Sequence, residues 1–294
     1  LFSNHRKLLE LVVRRQFSTH LEQILPDNVY GFRSGRSTQD AVCHVLDSIH
    51  EARSKGKYVA ILSMDASCAF DIINHDVILK SLEIVGVGPL MRKWSESFLK
   101  DCSNFVQIDN AVSESWPVET GSGQGRRLSP DYYNLATMSQ AIFATISAFS
   151  GYADDGSDVI YGDSIRECNE KLRAVVDQRR AWYRDMGLVL NDKKTEILGI
   201  NFIPDPITIE DIIILPKSEI TFLGVTIQSD LKWSSHIQSL RGKIYAAANR
   251  IRTEARHLSI TDRRILYFGW VQGYIISNGL AYLPTLNKTE QLSL

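Results

Sequence analysis

Apolar side chains recur along this sequence with two periods, and the switches between them mark out the elements. Ala41, Val42, Val45, Leu46 and Ile49 share one face of a 3.6-residue period, and Ser37 with Asp40 makes a capping box, so residues 37–52 are predicted to be helical. The near-continuous apolar run Tyr58 to Met64 has the length and composition of a buried central strand, with Asp65 immediately at its end. Asn74 is a good N-cap for a helix reaching about Val85, and Pro89 opens another that runs to Lys100. Short strands of a hairpin are expected at Phe105 to Ile108 and Trp116 to Val118. Residues 129–148 are helix-prone, and Gly151 to Gly156 interrupts them with a turn leading into a strand at Asp158 to Tyr161. Ser164 and Glu167 form a second capping box for a helix whose one face carries Cys168, Leu172, Val175, Trp182 and Met186, stopped by Gly187. Strands follow at Leu188 to Leu190, Ile197 to Ile200 and Ile220 to Ile227, with another at Ile212 to Leu215. Leu240, Ile244, Ala247, Ala248 and Ile251 then repeat at helical spacing, and a last helix is expected around residues 265–280. The order reads as an α+β core with a helical C-terminal module.

With 294 residues the chain can bury one large core or two compact ones, and 44% hydrophobic with 23% charged residues is the balance of a folded protein. The formal net charge of -1 argues against a nucleic-acid binder, but its distribution does not. Residues 1–36 carry a local balance of +3 and residues 232–264 one of +6, while the remainder carries -10. Ordinary solvated helix faces would give charge clusters of this size too. Cys43, Cys68, Cys102 and Cys168 are widely spaced with no C-x-x-C pair, which indicates neither a zinc knuckle nor a redox dithiol and fits a reducing compartment. No apolar run reaches about 18 residues, so no membrane span is expected. No signal peptide is expected either, and the chain reads as a fragment of something longer.

Two adjacent carboxylates, Asp154 and Asp155, stand on a Gly-flanked turn between apolar segments, where their repulsion is unfavourable unless a cation is shared. With Asp65 they make an all-oxygen donor set of the kind a pair of Mg²⁺ ions needs, about 3.5–4 Å apart, to activate a hydroxyl and hold a phosphoryl group. A lone Asp-Asp pair is more often a plain polar turn.

The tetrapeptide Tyr152-Ala153-Asp154-Asp155 changes that weighting, because it resembles the active-site box of reverse transcriptases and further boxes follow the family's order. Gly31-Phe-Arg-Ser-Gly-Arg-Ser-Thr38 with Asp40-Ala41 resembles the fingers segment of non-LTR (LINE-like) retrotransposon enzymes. Asp65-Ala-Ser-Cys-Ala-Phe-Asp71 with Asn74-His75 resembles their first palm box, and Gly123-Gln-Gly125 with Leu128-Ser-Pro130 and Asn134 their second. Gly187-Leu-Val-Leu-Asn191 with Lys194-Thr-Glu196 is similar to the fourth box, and Phe222-Leu-Gly-Val225 with Leu231 and Trp233 to the primer-grip box. Six such boxes in order, over roughly residues 5–285, are a specific signal.

The resemblance implies a right-hand polymerase fold of α+β class: partial fingers over residues 1–57, a palm with inserted fingers elements over 58–228 and a helical thumb over 229–294. It implies an RNA-directed DNA polymerase that transfers dNTPs to a primer 3′-OH, with Mg²⁺ (two ions, Mn²⁺ also possible) held by Asp65, Asp154, Asp155 and the Ala66 backbone. Lys194 would protonate the leaving pyrophosphate, although Lys193 beside it could serve. Arg33, Phe70, Gln124 and Gly125 would bind the nucleotide, with Phe70 as the steric gate against a 2′-hydroxyl. Phe222, Leu223 and Gly224 would form the primer grip. Arg241, Lys243, Arg250, Arg252 and Arg256 would track the phosphates of an RNA template and a DNA primer or RNA/DNA hybrid, while Arg14, Arg15 and Arg36 would belong to the fingers. The implied setting is an intracellular ribonucleoprotein, nuclear or cytoplasmic, with no membrane and no evident protein partner.

Departures from the family pattern keep two other readings open, an inactive truncated remnant that still binds nucleic acid and an RNA-directed RNA polymerase. Arg126 and Arg127 follow Gly125 and are expected to put bulk where nucleotide and template pass, and Asp131-Tyr132-Tyr133 stands in a typically apolar stretch. Val29 replaces a common Gln, and Gly156 follows the aspartates where an apolar residue is usual.

Overall fold

The computed structural model describes residues 4–67, 69–100, 102–123, 125–191, 194–277, 279–286, 288 and 291. Helix α1 (Asn4–Ile24) precedes α2 (Thr38–Ser54), where both hydrogen bonds of the Ser37–Asp40 capping box are made and Ala41, Val42, Val45, Leu46 and Ile49 are buried. Strand β1 (Tyr58–Ser67) runs past Met64, so Asp65 lies within it and not at its end. The extension exists because Ala66 and Ser67 pair with Leu190 and Val189. The one-turn helix α3 (Ala69–Ile72) leads to α4 (His75–Ile84), capped by Asn74, and α5 (Pro89–Lys100). The expected hairpin is two separate ladders. Strand β2 (Ser103–Asn104) pairs with β5 (Trp116–Pro117), and β3 (Gln107–Ile108) with β4 (Ala111–Val112).

The long helix expected over residues 129–148 is replaced by α6 (Ser129–Thr137), α7 (Ser139–Ile142) and strand β6 (Ala148–Tyr152). Strand β7 (Asp155–Gly162) completes a hairpin turning at Ala153-Asp154. Helix α8 (Ile165–Asp185) buries Cys168, Leu172, Val175 and Trp182 as the periodicity required, and Gly187 ends it at φ +69°. Its capping box is displaced by one residue: Glu167 accepts from the Asp163 N–H while its own N–H donates to Ser164. Strands β8 (Val189–Leu190), β9 (Glu196–Ile200), β10 (Ile207–Ile209), β11 (Ile212–Ile214) and β12 (Pro216–Lys217) follow. The apolar stretch over 220–227 is a hairpin of β13 (Glu219–Phe222) and β14 (Val225–Gln228), not one strand. Helix α9 (Ser234–Glu254) leads to α10 (Ile260–Leu266), a π-helical stretch Tyr267–Gln272, α11 (Gly273–Ile276) and α12 (Gly279–Tyr282), so the last expected helix is broken into pieces.

The chain divides into two compact units. The first comprises Leu1–Arg36, Met64–Gly156 and Ala174–Lys194. There α6 packs on α1 and α4, and Tyr132, whose hydroxyl donates to Ser95, is fully buried. The second comprises Ser37–Ser63, Ser157–Arg173 and Thr195–Leu294. In it β1 pairs antiparallel with β9, Val59 opposite Ile200 and Ser63 opposite Glu196, while β12 joins β9 in parallel. Val59, Ala60, Ile61 and Leu62 are wholly buried, as a strand covered on both faces must be. Helix α12 packs on α2, and Trp233 donates its indole N–H to Thr285. Cys43, Cys102 and Cys168 are not in disulfides, and Cys68 lies outside the described residues. No helix among the described residues is long and apolar enough to cross a membrane.

Candidate active site

The first unit holds the three carboxylates. Asp65 is fixed by β1, whose carbonyl there accepts the Asn191 N–H at 2.9 Å, and the β6–β7 hairpin presents Asp154 in its turn and Asp155 as the first residue of β7. The turn is tight: Ala153 sits at φ +55°, in the left-handed region that a Cβ disfavours. Residues 28–31 run alongside it. Val29 forms a parallel bridge with Gly151, the Tyr30 N–H donates to the Gly151 carbonyl at 2.8 Å, and the Gly151 N–H donates to Asn28 at 2.9 Å. Gly31 approaches so closely that a Cβ there would stand 2.4 Å from the Ala153 nitrogen, and its carbonyl accepts the Asn134 amide at 2.7 Å. Behind β6, the buried Arg179 guanidinium covers the Phe149 ring at 4.4 Å and donates to the Gln140 carbonyl at 2.6 Å. Nothing in the sequence pattern singled out Arg179.

Electrostatics tie the carboxylates together. The Asp155 carboxyl is raised above its ordinary 3.8, by loss of solvation first and then by the negative charges of Asp154 and Asp65, with Lys194 opposing. Lys194 forms an ion pair with Asp65 at 2.7 Å, and that contact, with Asp154 and Asp155 beyond it, raises the ammonium above its ordinary 10.5. The buried Tyr133 hydroxyl is pushed well up by burial and by Tyr183, Asp154, Asp65 and Asp155. Phe70, on α3, stacks on the Tyr133 ring at 4.2 Å and meets Phe32 edge-on at 5.7 Å. Tyr133 thus links the expected sugar gate to the acidic cluster. The only sequence signal for it was its place in a typically apolar stretch.

Among the described residues, no three acidic, histidine or cysteine side chains stand together as a ligand group for one metal ion. The Lys194 ammonium compensates part of the cluster's negative charge at Asp65. The donor chemistry nevertheless fits a hard divalent cation, since every candidate ligand is an oxygen and the cluster's excess negative charge already raises Asp155.

The second box is held by backbone and hydroxyl contacts. The Ser122 N–H donates to the Phe70 carbonyl at 2.9 Å and the Gly121 N–H to Ile73 at 2.7 Å, while the Ser129 hydroxyl reaches the Ser122 and Gly123 carbonyls. Gly125 is exposed at φ +80°, and Gln124 lies outside the described residues, as does Lys193. Arg126 does not put bulk into a nucleotide path. It is buried, with its guanidinium 4.9 Å above the Phe98 ring and donating to the Phe98 carbonyl at 3.1 Å. Arg127 is exposed, and its N–H donates to Glu10. Arg33 is likewise turned inward, donating to Glu22 at 2.7 and 2.9 Å and to the carbonyls of Pro26 and Val29, so it is not a free cation for a triphosphate. Of the other fingers arginines, Arg14 pairs with the buried Asp131 at 2.6 Å and Arg36 with Asp27 at 2.6 Å. Arg14 and Arg15 line a cavity of about 810 Å³ with Ser18, Thr19, Phe32 and Asn134.

The second unit carries the remaining candidates. Phe222 is buried at the end of β13, and Leu223 and Gly224 make the hairpin turn with φ of +47° and +83°. Arg241, Lys243, Arg250 and Arg252 are exposed on α9, and Arg256 is exposed just beyond it.

The match to known proteins agrees with this layout. The model of the reverse transcriptase (RNA-dependent DNA polymerase) family matches residues 1–227. The chain belongs to the reverse transcriptase family. A probable RNA-directed DNA polymerase from transposon BS of Drosophila melanogaster is 24% identical over 99% of this chain and 34% of its own length. The RNA-directed DNA polymerase from mobile element jockey of Drosophila funebris is 24% identical over 80% of the chain and 27% of its own. A putative 115 kDa protein in type-1 retrotransposable element R1DM of Drosophila melanogaster is 25% identical over 96% and 28%. The chain therefore spans about a third or less of the length of these relatives, which bear out the resemblance to non-LTR retrotransposon enzymes. Telomerase from Candida tropicalis, in complex with a fragment of telomeric RNA, superposes with a TM-score of 0.58 at 12% identity, covering 92% of this chain and 46% of that one. This reverse transcriptase domain has the expected α+β right-hand polymerase fold, and its family's reaction is RNA-directed DNA polymerisation, a nucleotidyl transfer that generally uses divalent metals.

Proposed function

We propose that this chain catalyses RNA-templated addition of deoxynucleotides to a primer 3′-OH, as part of a retrotransposon ribonucleoprotein inside the cell. The observation that carries the reading is the coupling of Asp65, Asp154, Asp155 and Lys194 in one unit, with Phe70 joined to them through Tyr133. Mg²⁺, or Mn²⁺ in its place, would be held by Asp65, Asp154, Asp155 and the Ala66 carbonyl, supplying activation of the hydroxyl and charge compensation at phosphorus. The primer 3′-hydroxyl gives up its proton to solvent and its oxygen bonds to the α-phosphorus as the bond to pyrophosphate breaks. Lys194, kept protonated by its acidic neighbours, donates the proton the pyrophosphate takes up. Phe70 excludes the 2′-hydroxyl, Gln124 and Gly125 support the incoming base pair, and the Leu223-Gly224 turn with Phe222 supports the primer. Residues 1–57, 58–228 and 229–294 serve as partial fingers, palm and thumb, and the exposed α9 cations contact phosphates.

Primer extension with dNTPs, Mg²⁺ and an RNA template tests the activity. Extension is expected, and Asp154→Asn is expected to reduce it to background; equal background from both proteins refutes the catalytic role. A second reading, an inactive domain that keeps nucleic-acid binding, is supported by Arg33, whose guanidinium is taken up by Glu22 and the Pro26 and Val29 carbonyls. Salt-sensitive binding without any extension identifies that case.

A further inference from the structure

The second unit contains a groove whose aromatic wall the catalytic reading does not use. It lies between α9 and the π-helical stretch Tyr267–Gln272 with the start of α11, has a volume of about 600 Å³, and is lined by Lys243, Arg250, Gly269, Trp270, Gly273 and Tyr274 among others. Large aromatic rings are ordinarily covered, yet Trp270 is 39% and Tyr274 41% exposed. The Arg250 guanidinium stands 5.3 Å from the Trp270 ring centre, so one wall already pairs a cation with a π-face. Its ion pair with Glu254, at 3.5 Å, is between two exposed groups and leaves the guanidinium at the solvent boundary.

The two glycines are the second observation. A Cβ at Gly269 would meet nothing within 4 Å, and one at Gly273 would meet only the Phe268 carbonyl at 3.9 Å. Neither has a positive φ. Packing and conformation therefore do not require glycine, which weakens a helix wherever it stands. What the glycines do is leave open floor beside two rings and two cations. The π-helical stretch Tyr267–Gln272, which contains Gly269 and ends just before Gly273, adds a residue to its turn, a distortion that recurs at functional sites.

We propose that this groove binds an unpaired nucleotide of a single-stranded nucleic acid, its base stacked on Trp270 or Tyr274 and its phosphates on Lys243 and Arg250. The proposal rests on reading the chain as a nucleic-acid enzyme and adds to it a single-strand site. A paired base hides its faces in the helical stack, whereas an unpaired base offers a π-face to the rings and a backbone to the cations, a combination that tolerates any sequence.

Fluorescence anisotropy of the full chain tests it, with a labelled single-stranded RNA of about twelve nucleotides and a blunt RNA/DNA hybrid of the same sequence, without dNTPs. Trp270→Ala is expected to weaken single-strand binding about tenfold, within the range of base–aromatic stacking, and to leave the hybrid within about twofold. Gly273→Leu removes no ring and no charge, fills only open floor, and is expected to give the same selective loss with an unchanged thermal melt. Lys243→Ala is expected to reduce the salt slope by about 0.7. Wild-type single-strand binding by both folded variants overturns the proposal, and so does an equal loss for strand and hybrid. Because no nucleotide is added, failure of primer extension leaves this result untouched, and an active enzyme with indifferent variants refutes the groove alone.

Discussion

Phe70 has two aromatic neighbours that fix the plane of its ring: Tyr133 stacked at 4.2 Å and Phe32 edge-on at 5.7 Å. The gate role proposed for Phe70 needs a ring that cannot swing aside, and these two contacts supply the rigidity that the side chain alone lacks. Phe70→Ala is expected to raise rNTP incorporation relative to dNTP by about tenfold or more in kcat/KM, the scale of a lost steric contact. An unchanged sugar preference would remove Phe70 from that role and reopen the RNA-polymerase reading. Arg33 and Arg126 carry the opposite lesson. In sequence Arg33 reads as a cation for the triphosphate and Arg126 as bulk in the nucleotide path, yet each is buried with its guanidinium on carbonyls, carboxylate or ring. A guanidinium has five donors, and whether they meet a ligand or the protein's own acceptors depends on neighbours distant in sequence, such as Phe98 for Arg126.

At the scale of elements, the β6–β7 hairpin decides where two of the three carboxylates stand, and its shape depends on a contact with residues 28–31. Gly31→Ala would place a methyl 2.4 Å from the Ala153 nitrogen, so it is expected to destabilise the domain by about 1–3 kcal/mol and reduce extension as the turn shifts. Ala153→Gly acts in reverse: at φ +55° it removes a strained Cβ and is expected to stabilise by about 1 kcal/mol in urea denaturation. A Gly31→Ala protein with wild-type stability would show that the close approach is not a constraint. The hairpin was the element sequence reading placed least well, because residues 148–152 (Ala-Phe-Ser-Gly-Tyr) continue the composition of the preceding helix. Only pairing with β7 and the bridge to Val29 make them a strand. Helix α1 was missed for a related reason, since Leu8, Leu9, Leu11 and Val12 are exposed while Phe17 and Leu21 are buried, and no single apolar face runs its length. Helices α2, α4, α5 and α8 were legible because local signals, caps and a 3.6-residue stripe, agree with their burial.

For the molecule as a whole, three partly or fully buried histidines in the two units make stability depend on pH. His44, His75 and His236 all fall below their ordinary 6.5 because burial disfavours the imidazolium, with Arg126 and Lys100 adding to the effect at His75 and Lys243 at His236. Asp47 opposes it at His44, and the Gly121 carbonyl and Asp76 at His75. Below about 6.5 the unfolded chain takes up protons that the folded one refuses, so the stabilisation is full above that pH and is lost as pH falls through the lowered folded values. Urea midpoints are expected to fall between about pH 7.5 and 5.5, with a slope of up to about 1.4 kcal/mol per pH unit for each histidine, and His75→Gln is expected to flatten the curve. A midpoint unchanged across that range would refute this. The carboxyls of Asp131 and Asp155, raised by burial, oppose the trend as they protonate. The sequence by itself determined the family and most helices and singled out three aspartates as candidates, because those rest on ordered motifs and on periodicity within a few residues. Only the tertiary structure decided that Arg33 and Arg126 turn inward, that Lys194 holds Asp65, that Tyr133 joins Phe70 to the acidic cluster, and that Trp270 borders an open groove. Most of these are meetings of groups well separated along the chain, where burial and charge, not local propensity, select the partner.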